Sequence, residues 1–144
     1  MKRATPESCV LKAVTDLLTA HRIWWMRNNT GTHVLEHDGR KRVFRAGRPG
    51  MADLLALVQQ EWCAACHAPP LRQTAFRSQK CVACGRYPER MHLPLWIECK
   101  AGRGVQSDAQ KEFQREVEQQ GHVYLLARSS NDVWQWLTDN RVAR

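Results

Sequence analysis

Two apolar, strand-like runs in this chain each carry an acid among side chains suited to a core. One is Gly50-Met51-Ala52-Asp53-Leu54-Leu55-Ala56-Leu57-Val58. The other is Pro94-Leu95-Trp96-Ile97-Glu98-Cys99-Lys100, forty-five residues on from acid to acid. A carboxylate beside a sheet core is costly to desolvate unless a cation or a hydrogen-bond donor compensates it. A fold that uses both runs as strands must therefore bring the acids a counter-charge. Strand alternation puts Glu98 and Lys100 on one face and Cys99 on the other. An Asp from one strand with a Glu and a Lys from its neighbour makes a hard-cation site with an ammonium beside it. Such equipment suits phosphodiester cleavage, in which carboxylates hold Mg²⁺, the metal prepares water and a lysine steadies charge. Taken alone, Glu-x-Lys in a strand is an ordinary solvated pair; the flanking segments add the meaning.

After Lys100, Ser107 is placed to cap a helix with Gln110 in its first turn. That helix runs through Phe113 and Val117 and stops at Gly121. An apolar strand over residues 122–127 and a short helix around residues 133–137 follow. At the other end, Thr5 reads as an N-cap and Pro6 as the first helical residue. Val10, Leu11, Val14, Leu17 and Leu18 form the apolar stripe of that helix. Glu7 lies toward its core side as a third candidate acid; equally, it complements the positive end of the helix dipole.

A chain of 144 residues is long enough for one domain with a real core. The formal charge of +8 and pI near 9.6 favour an anionic partner, although many soluble proteins are basic. After the first helix, Trp24 and Met26 face one side of a strand and Trp25 the other. Arg27, Asn28, Asn29 and Thr30 are loop donors of the kind that grip phosphates and sugars, or simply a turn rich in Asn and Gly. Asp38-Gly39 marks a hairpin turn between residues 32–37 and 40–45. Arg40, Lys41, Arg42, Arg45 and Arg48 crowd the approach to Asp53. That density fits neutralisation of a nucleic-acid backbone, with a solvated basic hairpin as the plainer alternative. No run of eighteen apolar residues is present, so no membrane span is expected. The start, Met1-Lys2-Arg3-Ala4-Thr5-Pro6, lacks the apolar core of a secretory signal. The expected location is a reducing cytoplasm, bacterial or of a phage-infected host, where clustered cysteines mean metal more often than disulfides.

Cys63-Ala64-Ala65-Cys66 and Cys81-Val82-Ala83-Cys84 are two such pairs, fourteen residues apart. Together they supply four thiolates for a tetrahedral Zn²⁺, with Gly85 just past the second knuckle. Cys63-Ala64-Ala65-Cys66-His67 also matches a haem-attachment string, which would need export and leave the second pair unused. A redox dithiol would use one pair only. The pairs sit in an interruption over residues 59–92 that joins the Asp53 strand to the Glu98 strand. The stretch between them has too few apolar residues to fold alone, so the metal is expected to supply its stability. Arg72, Arg77, Lys80, Arg86 and Arg90 make it basic, as a DNA-gripping knuckle or a structural cap. Cys9 and Cys99 are expected to be core thiols.

In their order and spacing, Gly50-x-x-Asp53, Glu98-x-Lys100, Gln110 and Gly121-His122-Val123-Tyr124 resemble the PD-(D/E)XK nuclease superfamily. Within it the chain looks most like the VRR-NUC (virus-type replication-repair nuclease) group. The resemblance covers roughly residues 5–58 and 93–138. The family often carries Pro just before the Asp; Ala52 stands there, which alters a backbone device and removes no ligand. The resemblance implies an α/β fold with a restriction-endonuclease-like mixed central sheet. Helices flank that sheet, the N-terminal one on one side and the Gln110 helix on the other. Residues 1–144 form a single domain with a small zinc-binding insertion. It implies a hydrolase, a Mg²⁺- or Mn²⁺-dependent DNA endonuclease selective for branched or junction DNA in repair, recombination or phage replication. On that reading Asp53, Glu98 and the backbone carbonyl of Cys99 hold the metal. Lys100 orients the attacking water and offsets developing charge. Gln110 hydrogen-bonds the site or the scissile strand, and Glu7 joins directly or through water. Stand-alone members often act as dimers, so a homodimer is expected. Two other readings stand beside it: a zinc-dependent nucleic-acid-binding module without catalysis, and a nuclease subunit inert without a partner.

Overall fold

Thr5 opens the first element as its sequence indicates: its Oγ1 accepts from the Ser8 amide at 3.2 Å, and Pro6 occupies the first turn. The computed structural model describes residues 5–28, 31–37, 39–66, 80–140 and 142. Helix α1 is Pro6–Ala20, followed by strands β1 (Trp24–Arg27), β2 (Gly31–His37), β3 (Arg40–Ala46), β4 (Leu54–Trp62) and β5 (Glu89–Cys99). Helix α2 (Asp108–Gln119), strand β6 (Val123–Ala127) and helix α3 (Ser130–Asp139) complete the order.

The central sheet has the order β1-β4-β5-β6. Its first two pairings are antiparallel and β5 with β6 is parallel, so the sheet is mixed. Parallel neighbours need a crossover, which α2 provides. Alternation sorts the strands' side chains between two layers. Leu54, Ala56 and Val58 of β4, with Leu95, Ile97 and Cys99 of β5, face the layer that includes Val14, Leu18, Val133 and Leu137 of α1 and α3. On the other face Phe113 and Val117 of α2 pack with Tyr124, Ala52 and Trp96. The chain is thus a mixed α/β fold with helices on both faces of a four-stranded sheet. β2 and β3 form a separate two-stranded sheet with the register expected about the Asp38-Gly39 turn; Asp38 itself lies outside the described residues.

Two features differ from the sequence reading. β4 and β5 stay paired from Leu54↔Ile97 to Trp62↔Glu89. Residues 59–62 and 89–92, expected in the interruption, are therefore ladder, and the chain outside the ladder is 63–88. β1 reaches only to Leu57 on one side and β6 only to Leu95 on the other, so the outer half of the ladder continues as a two-stranded arm. Pro94 is tolerated in β5 because it falls just outside the β6 ladder, which begins at Leu95↔Val123. The second difference is Cys9, which is exposed on α1 instead of being a core thiol. It falls off the stripe whose centre is Val14 and Leu18; Cys99 is fully buried.

Candidate functional site

Asp53 stands at the entry to β4, and three contacts fix the backbone there. The Asn28 amide donates to the Asp53 carbonyl at 2.8 Å, and Asn28 Nδ2 donates to the Ala52 carbonyl at 2.9 Å. Gly50 adopts φ +81°, and a Cβ on it would lie 2.2 Å from the Ala109 carbonyl oxygen in the first turn of α2. Only glycine lets the chain pass so close in that conformation. The Asp53 carboxylate then crosses to the neighbouring strand, where Oδ2 accepts from the Cys99 amide at 2.8 Å. Burial raises the Asp53 carboxyl above its usual range, opposed by the Cys99 amide and by the charges of Lys100 and Arg27.

Glu98 is 1% exposed, on the face of β5 opposite Cys99. Lys100 Nζ lies 2.8 Å from its Oε1, and Gln110 Nε2 donates to the same oxygen. Its Oε2 is buried without a hydrogen-bond partner among the described residues. Burial pushes the Glu98 carboxyl up to about 6, although the Lys100 bond opposes it. Gln110 is oriented by the helix it caps. Its Oε1 accepts from the Ser107 amide at 2.9 Å, which leaves the amide NH₂ directed at Glu98. Burial works against the Lys100 charge, but hydrogen bonds to Glu98 and Glu7 outweigh it and raise the ammonium to about 12. Glu7 is half exposed and holds Lys100 at 3.1 Å, so it meets the site through the lysine.

At the far end of β4 and β5 the four cysteines converge. Cys63 and Cys81 are buried, Cys66 half-buried and Cys84 exposed, and their sulfurs all lie within 4.8 Å of one another. Sγ–Sγ separations of 3.3 Å (Cys63–Cys84) and 3.9 Å (Cys66–Cys81) bracket the value of about 3.8 Å that tetrahedral Zn–S bonds of about 2.3 Å require. Hydrogen bonds with the Cys84 and Cys63 sulfurs push the Cys66 thiol up to about 12. The Cys81 carbonyl accepts from the Gly85 amide at 2.7 Å, and Gly85 turns at φ +71°. The group could hold a metal ion such as zinc. Among the described residues it is the one set of three or more His, Cys, Asp or Glu so gathered.

The basic residues separate into distinct roles. Arg27 is exposed, and its charge acts on Asp53. Arg40 and Lys41 are exposed on the β2–β3 hairpin. Asn29 and the side chains of Arg42 and Arg45 lie outside the described residues. Arg48 is bound by both oxygens of Glu116 at 2.5 Å and lies 6.0 Å from the Phe113 ring, so it pins the approach to β4 onto α2. Asn28, expected as a phosphate donor, spends its amide on the Asp53 turn. Sequence reasoning missed the packing role of Gly50; its signal was a Gly three residues before an acid that must pass a helix terminus. Among the described residues no helix is long and apolar enough to cross a membrane. Comparison with protein-family models, curated proteins and solved structures finds no significant match.

Proposed function

We propose that this chain is a divalent-metal-dependent DNA endonuclease of the PD-(D/E)XK type, structure-selective and stabilised by a Zn²⁺ on its four cysteines. The observation that carries the reading is the state of Glu98. A carboxylate almost wholly out of water, with one oxygen accepting from both Lys100 and Gln110 and the other without a partner among the described residues, is an expensive arrangement. A hard cation offsets that cost, and Asp53 on the neighbouring strand supplies a second oxygen donor, so the residues fit Mg²⁺ or Mn²⁺. Asp53, Glu98 and the backbone carbonyl of Cys99 would hold the ion, which when bound polarises a phosphoryl oxygen and lowers the pKa of water.

The chain's own groups then have separable tasks. Lys100, held charged by Glu98 and Glu7, offsets negative charge growing on the phosphoryl oxygens and orients the attacking water. Gln110 fixes the Glu98 rotamer from a capped helix end. Asn28 and Gly50 position the Asp53 turn. Arg27, Arg40 and Lys41 are available to phosphates on the approach. The test is incubation of the purified chain with labelled linear, flap and four-way-junction DNA, with Mg²⁺, Mn²⁺ or EDTA. Cleavage should need the divalent ion, favour the branched substrates and vanish in Glu98→Ala while DNA binding persists. Cleavage by Glu98→Ala at the wild-type rate would sink the mechanism.

A further inference from the structure

Among the described residues, the sheet face that carries Glu98 is only half covered. α2 lies over Trp96, Tyr124 and Ala52, toward the β6 side. On the β1 side, Trp24 stands opposite Leu57 and Met26 opposite Leu55, while Leu57 and Leu55 stand opposite Pro94 and Trp96. Directly paired residues share a face, so Trp24, Met26 and Leu57 lie on the same side of the sheet as Glu98. All three are exposed, at 54%, 44% and 36%. One strand spacing across for Leu57, two for Trp24 and Met26, and two to four residues along put them about 10–16 Å from Glu98. Arg27 follows Met26 in β1 and pairs with Leu54, so it alternates to the opposite face, although its charge is felt at Asp53 from the end of the strand.

We propose that Trp24, with Met26 and Leu57 as its floor, is a stacking platform for unpaired bases of the DNA whose phosphate is cut at Asp53 and Glu98. The proposal rests on the nuclease reading and specifies its substrate: DNA with a single-stranded stretch beside the cut. At about 3.4 Å per stacked nucleotide, the platform meets bases three to five nucleotides from the scissile phosphate. An exposed indole offers the large π-face that sequence-tolerant stacking needs. The chain's +8 charge supplies the general attraction that a phosphate backbone on this face needs.

The experiment measures binding of a labelled ten-nucleotide oligo-dT and of a blunt duplex, with Ca²⁺ replacing Mg²⁺ to withhold cleavage. Trp24→Ala should weaken oligo-dT binding about tenfold, the loss of roughly one stacked base, and change duplex binding less than about twofold. Trp24→Phe should stay within about threefold of wild type on both, and it serves if the alanine variant melts early. A 2-aminopurine in the oligonucleotide should be quenched by wild type and not by Trp24→Ala. Unchanged oligo-dT affinity in Trp24→Ala, or equal losses on both DNAs, overturns the proposal. So does a wild-type dimer that Trp24→Ala converts to monomer, because the patch is then a contact between copies. A chain that cleaves nothing yet binds oligo-dT through Trp24 keeps the platform and loses the nuclease. A chain that cleaves branched DNA identically as Trp24→Ala does the reverse.

Discussion

Glu98 makes the carboxylate site measurable without any substrate. Its carboxyl sits near 6 in the fold against an ordinary 4.5, so the folded state holds the proton more tightly than the unfolded chain. The resulting stability is fully present below the ordinary value and is lost as pH rises through about 6. The shift corresponds to roughly 2 kcal/mol, and the raised Asp53 carboxyl adds in the same direction. In Mg²⁺-free buffer, Glu98→Gln should therefore gain on wild type in melting temperature between pH 5 and 7.5. Adding Mg²⁺ at pH 7.5 should raise the wild-type midpoint and leave the glutamine variant unmoved. Melting curves that run parallel across that range would show that Glu98 bears no such penalty. A second residue-scale expectation concerns Gly50. Gly50→Ala meets the Ala109 carbonyl as well as an unfavourable φ and should cost at least about 2–3 kcal/mol in denaturant unfolding. Gly39→Ala, with φ +71° and open space around it, should cost only about 1–2 kcal/mol. Equal losses would mean that α2 yields at that contact.

Element boundaries obey the same local chemistry, with one exception that can be improved. α2 ends in Gly121 at φ +79°, and the His122 amide returns to the Val117 carbonyl. α1 closes in the same way, the Ile23 amide on Leu18 and the Arg22 amide on Thr19, but with Arg22 at φ +54° in the glycine position. Arg22→Gly should stabilise the fold by about 0.5–1 kcal/mol, read as a higher melting temperature; a lower one would show that the arginine side chain contributes more than its strain. These ends also show what sequence could and could not tell. The period of two through Trp96, Glu98 and Lys100, and the Ser107 cap that aims Gln110, are local patterns, and they brought the carboxylate cluster into view. The partner of Arg48 is 68 residues away and the backbone held by Asn28 is 24 away. Both residues read as free donors because nothing local marks a distant acceptor. Likewise no turn signal separates the outer ladder from the cysteine segment, because Gln59, Gln60, Arg90 and His92 are polar residues in paired strands.

At the scale of the whole molecule, β4 and β5 carry two separate clusters, the carboxylates at their inner end and the cysteines, which could hold a metal ion, at their outer end. Nine paired positions at about 3.3 Å each separate them by roughly 30 Å. One zinc per chain should co-purify, and Cys81→Ser should lower both zinc content and melting temperature; freshly purified chain without zinc would remove the metal from the account. The inner half of the ladder is braced by β1 and β6, whereas among the described residues the outer half has only its own two strands. An isolated two-stranded ribbon is marginal in water. Stability along β4 and β5 is therefore graded. Zinc withdrawal should open amides near Trp62 and Glu89 to hydrogen exchange first, while those near Leu54 and Ile97 keep the protection of the global fold. A protease acting on the metal-stripped chain would then clip the tip and leave a trimmed body with its carboxylates intact. A zinc ion held by the four cysteines would then be the ferrule on a cord, keeping the free end from unravelling toward the woven part.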